Sequence, residues 1–459
     1  MTAPSAYARY RIPTRPMPDR VGHPSRFLVK VSRIRLVGLL LRELIHYRGR
    51  LPVVLSRPCV YGVFSGPVGG LSPRERLCVG CLRCTVQYPD MVQVLPNPRR
   101  LELGDSYFAP DVVDTLMYEA ATGRVPVRGA GFRGAFSGPG WDGMWTDMSE
   151  IVRPTRDGIH GREFISTSVD LGPKPRFLLP EDFGAGDGSP DELLSLPVPF
   201  LFDLLPRGIE SLELYRCMAS AAERLGSLAF VPWAWARNMP ASVAVVPVVS
   251  PDEVKEFEPR TRPPMVELDG WDASSFERLR GKGIPVAVRL SYAQPPLPMA
   301  ESGVGILHYV ADYHGRTPDG FVLEALRSVH DVLVRGGVRE QVTLLSSGGM
   351  AAAEHVPKAI IVGADAVALD LPLILAMQGR LIGECRSRES ARIDLPAAPP
   401  DWREQRLLNL AGSWRDQLLE VLGAMGLREV RRLRGEIGRA MFAEELEREA
   451  FAGIAGFVG

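Results

Sequence analysis

From about Phe164 onward the chain alternates short apolar runs with segments of helical periodicity. The runs are Val198–Phe202, Ser242–Val249, Pro264–Leu268, Pro285–Leu290, Val304–Val310, Val342–Leu345 and Ala366–Leu369. Between them, Leu212–Leu225, Phe276–Lys282, Leu323–Arg335 and Glu354–Val362 repeat apolar residues at helical spacing. Such alternation argues for parallel strands joined by helical crossovers. Spread over about 230 residues, it predicts an α/β fold of the (β/α)8 TIM barrel type rather than an open sheet.

The flanks read differently. Residues 1–25 are rich in Pro, Arg and Ser and are expected to have little structure of their own. Val31–His46 has a broad apolar helical face built on Ile34, Leu36, Leu39, Leu40, Leu41 and Ile45. A Pro/Gly-punctuated stretch holds most of the cysteines, a helix is expected over 107–122, and 124–143 is a glycine-rich loop. The tail from Trp402 is helical and charged. The predicted division is an N-terminal extension with one helix (1–49), a cysteine module (50–105), a connecting segment (106–163), the barrel (164–395) and C-terminal helices (396–459).

Composition excludes some functions. Hydrophobic residues make up 46% and charged residues 24%, ordinary for a globular domain. Lys+Arg and Asp+Glu both total 54, so no net charge draws the chain to nucleic acid or a membrane surface. The apolar stretch Leu36–Leu41 is too short to span a bilayer, and no signal-peptide pattern opens the chain. A cytoplasmic location is expected. Six cysteines in 459 residues do not make a disulfide framework; a close cysteine run in such a chain reads as metal binding.

That run is Cys78-Val79-Gly80-Cys81-Leu82-Arg83-Cys84. C-x2-C-x2-C spacing lets one loop hold three corners of an iron–sulfur cube. The usual continuation is Cys-Pro, but here Tyr88-Pro89 follows. Cys59 is the first choice for a fourth ligand to a 4Fe–4S cluster, and a non-cysteine or missing ligand is the second. Structural zinc is an open alternative.

A second signal lies at the end of the alternating region. Val342–Leu345 runs into Ser346-Ser347-Gly348-Gly349-Met350, and Gly363-Ala364-Asp365 leads the next apolar run. Glycines after a seventh barrel strand let backbone N–H groups close on a phosphate. A plain glycine turn is the bland alternative.

These segments carry a resemblance. Ser346–Met350 with Val356–Val367 resembles the SGG…GADAV segment of the FMN-binding domain of the glutamate synthase family. Val310-Ala311-Asp312-Tyr313-His314-Gly315 is similar to the family's Asp-Gly-His-Gly-Gly strand end, and Val288-Arg289-Leu290 sits where it usually has Val-Lys-Leu. Pro199–Gly226 and Gln405–Arg434 also resemble family segments, for a coverage of about 150–435. Short members carry a ferredoxin-like module ahead of the barrel.

The resemblance implies an oxidoreductase with FMN, acting on CH–NH2 groups of a small amino acid or 2-oxo acid. Ser347, Gly348, Gly349, Gly363 and Ala364 would hold the FMN phosphate. Arg289 would face the flavin's pyrimidine edge as a cation, and His314 would stand at the substrate side. The chain opens Met1-Thr2-Ala3 without an exposed cysteine nucleophile, so amidotransferase or electron-donor subunits are expected as partners. Departures are plain: Leu205-Pro206 replaces Met-Ser, and Val231–Asn238 and Asp269–Asp272 replace glycine-rich loops. They keep open a non-catalytic barrel scaffold, an electron-transfer subunit, or an enzyme with another substrate such as an N-methylglutamate-type amine. The dense polar segment Trp141–Gly172 is expected to clamp the cysteine module to the barrel or line the flavin entrance.

Overall fold

The computed structural model describes residues 10–50, 59–65, 69–126, 140–146, 164–172 and 193–454. The chain divides into two compact units. One is Arg20–Asp114 with Pro126–Phe136; the other is Met1–Asp19, Thr115–Val125 and Ser137–Gly459.

In the smaller unit, strand Phe27–Val31 pairs antiparallel with Val92–Pro96, and helix Arg33–His46 follows the first strand. Val29, Leu36, Val63, Cys78, Met91 and Val92 form its core. The cysteine module therefore starts well before residue 50: the extension's helix and first strand are part of it.

The larger unit is a closed eight-stranded barrel. Its strands are β1 (Phe200–Phe202), β2 (Ala229–Pro232), β3 (Val245–Val249), β4 (Val266–Asp269), β5 (Val286–Ser291), β6 (Ile306–Val310), β7 (Thr343–Ser347) and β8 (Ala366–Leu369). Each strand pairs parallel with the next and β8 closes on β1, giving the predicted TIM-barrel topology. The strands are buried nearly throughout, which is why they read as continuous apolar runs. β2 escapes the pattern because its four residues run straight into the helix Trp233–Ala236 without a polar break.

Local chemistry sets the crossovers. Helix Leu212–Leu225 begins where the Ser211 hydroxyl accepts from the Leu214 N–H, and stops at Gly226, whose φ of 64° continues no helix. Helix Ala273–Arg280 starts on Asp272, which accepts from the Ser275 N–H. Pro357 sits in the first turn of His355–Ile361, where its missing donor does no harm.

The C-terminal region is part of the barrel unit. Helix Pro400–Ala424 buries Arg406, Asn409 and Trp414. Arg406 donates to the Met17 and Met117 carbonyls and pairs with Asp19 at 2.9 Å. Asn409 bonds the backbone of Arg15 and Ala120, and the Trp414 indole donates to Glu119. Residues 10–19, expected to be unstructured, are held in place by this buried polar row. The tail also contains a strand, Ala440–Phe442, paired with Met144–Thr146. Among the described residues, no helix is long and apolar enough to cross a membrane.

Candidate functional site

Two sets of residues carry chemistry, one in each unit. In the smaller unit, the 3-10 turn Glu75–Leu77 ends at Cys78, and helix Arg83–Gln87 carries Cys84. Between them the chain curls because Gly80 and Leu82 both take left-handed backbone, with φ of 68° and 58°. Gly80 must be glycine on space as well: a Cβ there would enter the Phe27 ring. Cys59, Cys78, Cys81 and Cys84 border one small cavity, closed by Val29, Val63 and Phe64. All four are free thiols.

Burial pushes the Cys78 thiol up, and the neighbouring thiols of Cys84, Cys59 and Cys81 add to it; a Gly80 backbone bond opposes. Burial also raises Cys84, against hydrogen bonds from Thr85. Cys59, Cys81 and Cys84 also border a larger apolar cavity of about 460 Å³ between helix Arg33–His46 and Tyr88. Tyr88, at the position of the motif's missing cysteine, lines that space. Among the described residues, the sole group of three or more potential ligand atoms within 4.8 Å of one another contains no cysteine.

In the barrel, Arg289 projects inward from β5. Its Nη1 and Nη2 fork onto Asp203, just past β1, at 2.8 and 2.9 Å, and Nη1 also donates to Glu267 of β4 at 3.1 Å. The other Glu267 oxygen lies 2.5 Å from His308 Nδ1 on β6, and His308 Nε2 lies 2.5 Å from the Ser347 hydroxyl on β7. Ser347 in turn favours the charged form of Asp203. The five side chains form a polar ring across the interior, hydrogen-bonded from Asp203 through Arg289, Glu267 and His308 to Ser347, and Glu267, His308 and Ser347 are wholly buried. Burial alone would raise Asp203; the Arg289 guanidinium, then His308, hold it below the usual carboxylate range instead.

Above the ring stand groups that it does not satisfy. Asp370 follows β8, is 4% exposed and accepts from the Leu371 N–H. Burial and the nearby Asp203 charge push it well above the usual range. Asp269, at the end of β4, is raised chiefly by burial. The Tyr313 hydroxyl has no hydrogen-bond partner among the described residues, although the residue is only 7% exposed and feels the charges of Asp370, Asp203, Arg388 and Arg289.

The predicted phosphate residues are not brought together. Ser347, Gly348 and Gly349 lie at the C-terminal end of β7. Gly363 and Ala364 precede β8, and the intervening helix returns the chain to the opposite end of the barrel. There the Gly363 carbonyl accepts from Arg339, which also pairs with Asp365. The pair Gly348-Gly349, with φ of 90° and 73°, is pressed against the turn after β6: a Cβ on Gly348 would stand 2.5 Å from the Asp312 carbonyl oxygen. From outside, Trp141 holds the loop. Its indole donates to the Gly349 carbonyl at 2.9 Å, its ring stacks on His355, and Lys358 donates to its carbonyl.

His314 lies in the turn after β6, its Nδ1 3.8 Å from Glu384, and takes no part in the ring. Of the segment Trp141–Gly172, residues 147–163 lie outside the described residues. Asp203, Glu267, His308, Tyr313 and Asp370 were not picked out from sequence. Glu267 and His308 had a signal, since each is a lone polar residue inside an apolar run.

The conserved region of glutamate synthase matches residues 310–426. An archaeal-type NADPH glutamate synthase of Dehalococcoides mccartyi is 22% identical, covering 82% of this chain and 89% of that protein. The archaeal NADPH glutamate synthase of Archaeoglobus fulgidus is 23% identical, over 88% and 94%. Among solved structures, the flavin-binding domain of baker's yeast flavocytochrome b2 aligns with a TM-score of 0.40 at 11% identity, over 68% of this chain and 83% of that one.

Proposed function

The chain belongs to the glutamate synthase family, and we propose that it is an iron–sulfur oxidoreductase of that kind, with Cys59, Cys78, Cys81 and Cys84 holding one 4Fe–4S cluster. The observation that carries this is the single cavity bordered by all four thiols. Two arguments favour a cluster over zinc. Thiolates on one zinc stand about 3.8 Å apart, given a Zn–S bond of about 2.3 Å, and no three of these thiols come within 4.8 Å of one another. Apolar walls on both sides suit a redox centre, whose potential depends on burial and on the hydrogen bonds to sulfur. A cationic core also relieves the raised thiols of Cys78 and Cys84.

Kinship with glutamate synthases supports an FMN-dependent oxidoreductase, acting on CH–NH2 groups of a small amino acid or 2-oxo acid, with amidotransferase or electron-donor subunits as partners. When bound, FMN would supply two-electron transfer to or from the substrate. The donor set does not fit FMN as the resemblance arranges it. Arg289 is spent on Asp203 and Glu267. Two of the five phosphate residues are at the wrong end, and Asp370 puts a carboxyl on the helix start after β8. The same ring favours a second reading, an electron-transfer subunit whose barrel no longer reacts.

Anaerobic purification followed by absorption spectroscopy and metal analysis tests the proposal. About four irons per chain and a broad visible absorption, both lost on Cys78→Ser, are the expected result. Stoichiometric zinc with no visible absorption would sink it. Flavin bands in the same spectrum would separate the enzyme from the electron-transfer subunit.

A further inference from the structure

The smaller unit holds more open apolar space than its four thiols need. The cavity of about 460 Å³ lies wholly within that unit. Helix Arg33–His46 turns Leu36, Leu39, Leu40 and Glu43 toward it, a single face at spacings of three and four. Met91 and Val92 line its buried depth, whereas Arg83 and Gln87 line it from the solvent side. Protein interiors leave few voids larger than a water molecule, and this one falls in the range of about 300–1,000 Å³ that small-molecule sites occupy. Tyr88 shows which side of the cysteine run it lies on. That residue borders the larger cavity and not the small one that all four thiols share. In modules with two clusters, the fourth position of a C-x2-C-x2-C run serves the other cluster. The larger cavity therefore lies on the side that a second cluster would take, and the sequence has no second close cysteine run to hold one. Aromatic rings of Tyr61, Phe64 and Tyr88 line it instead, and Cys59, Cys81 and Cys84 form a wall common to both cavities.

We propose that this cavity binds a quinone-class molecule, a flat neutral ring system with carbonyl oxygens at its edges. The leucines of the helix and the three aromatic side chains take the faces of the ring. Arg83, Gln87 and Tyr88 line the same space and carry N–H and O–H donors, which is what a carbonyl oxygen accepts. Lining groups of both signs, Arg83 and Glu43, favour a neutral ligand over an anionic one. The choice of a redox-active ring rests on the cluster reading, because the shared thiols put ring and cluster on two sides of one wall. The cavity itself does not depend on it.

Equilibrium dialysis of the full-length protein, purified anaerobically, against duroquinone is the test; every ring carbon of that probe is substituted, so thiols do not add to it. One saturable site per chain is expected. Leu40→Trp, which fills the cavity, should weaken binding at least tenfold, and Tyr88→Phe, which removes one donor, about three- to tenfold. Absence of saturable binding, unchanged binding in either variant, or tighter binding of decanoate at the same site overturns the proposal. If Leu40→Trp does not fold, Tyr88→Phe decides: an unchanged affinity overturns, a weakened one supports. Iron analysis of the same samples reports separately on the cluster. Binding without iron supports this site and sinks the cluster, and iron without binding does the reverse.

Discussion

Removing the cation from the barrel ring gives the sharpest test of the site. Arg289→Met keeps the length of the side chain and deletes three hydrogen bonds, two to Asp203 and one to Glu267. Both carboxylates are almost wholly buried. Breaking a buried ion pair by removing one partner costs about 3–5 kcal/mol, because the other charge stays in a poor solvent. Asp203 keeps the Leu204 N–H and Glu267 keeps His308, so the lower half of that range applies. At roughly 2 °C per kcal/mol for a domain this large, the melting temperature should fall by about 6–8 °C. The pH dependence has a definite sign. With Arg289 present, Asp203 is depressed, so its contribution to stability is in force above the unfolded value of about 3.9 and is lost only as pH falls below that. Without Arg289, burial raises Asp203 and the folded state takes up a proton earlier. The gap between wild type and variant should therefore narrow from pH 7 to pH 4. Urea unfolding followed by circular dichroism at both values measures it. Arg448→Met, which breaks only an exposed pair with Glu444, is the control and should change stability by less than about 0.5 kcal/mol. An Arg289→Met cost under about 1 kcal/mol at pH 7, or a gap that widens toward pH 4, refutes the ring.

Other outcomes follow from the same geometry. Cys59→Ser should lower iron content as far as Cys78→Ser does; retention of a full cluster would remove Cys59 from the ligand set. Gly348→Ala should destabilise by about 2–4 kcal/mol, since its Cβ meets two backbone carbonyl oxygens at positive φ, while Gly283→Ala, strained but in open space, should cost about 1 kcal/mol. Chemical denaturation of both variants reads the difference. Trp141→Phe should cost about 1 kcal/mol by removing the buried hydrogen bond from the indole to the Gly349 carbonyl. Asp370→Asn should stabilise the unliganded protein at neutral pH: a raised carboxyl loses stability as pH climbs from the unfolded value toward its folded one, and the amide does not titrate. A lower melting temperature for that variant at pH 7 would show that Asp370 is already paired.

The barrel was legible because burial on both faces leaves strands with an unmistakable apolar run, and Leu212–Leu225 and Ala366–Leu369 appear with the bounds their periodicity predicts. That Cys59, Cys78, Cys81 and Cys84 border one cavity follows from three of them being local and Cys59 being the nearest further thiol in sequence. The smaller unit's boundary was not legible, because strand Phe27–Val31 finds its partner some sixty residues later, and the pattern of one strand does not name the other. The ring was hidden for the same reason, as its members come from five places around a closed sheet. Gly363 and Ala364 misled by proximity in sequence. A helix between two parallel strands carries the chain from one end of the barrel to the other, so neighbours separated by one helix cannot share a ligand at a single end.

The contrast between the ring and the groups above it explains how such a barrel can keep its fold while its chemistry changes. A buried cation that depends on a bound ligand for its counter-charge makes the fold hostage to that ligand. Once Asp203 and Glu267 supply the counter-charge from within the chain, the interior is satisfied whether or not anything is bound, and the mouth is free to diverge. The strained polar groups lie on the turns beyond β6 and β8: the Tyr313 hydroxyl, which has no hydrogen-bond partner among the described residues, and the buried Asp370 carboxyl, which accepts from the Leu371 N–H. Their burial penalty is one that a bound partner can relieve, and a partner present at a hundred times its dissociation constant returns about 2.7 kcal/mol to the folded state. Stability is therefore carried by a ring whose members are satisfied within the chain, and its His308 and Ser347 stand on the strands that flank the start of the region from 310 to 426 that matches glutamate synthase.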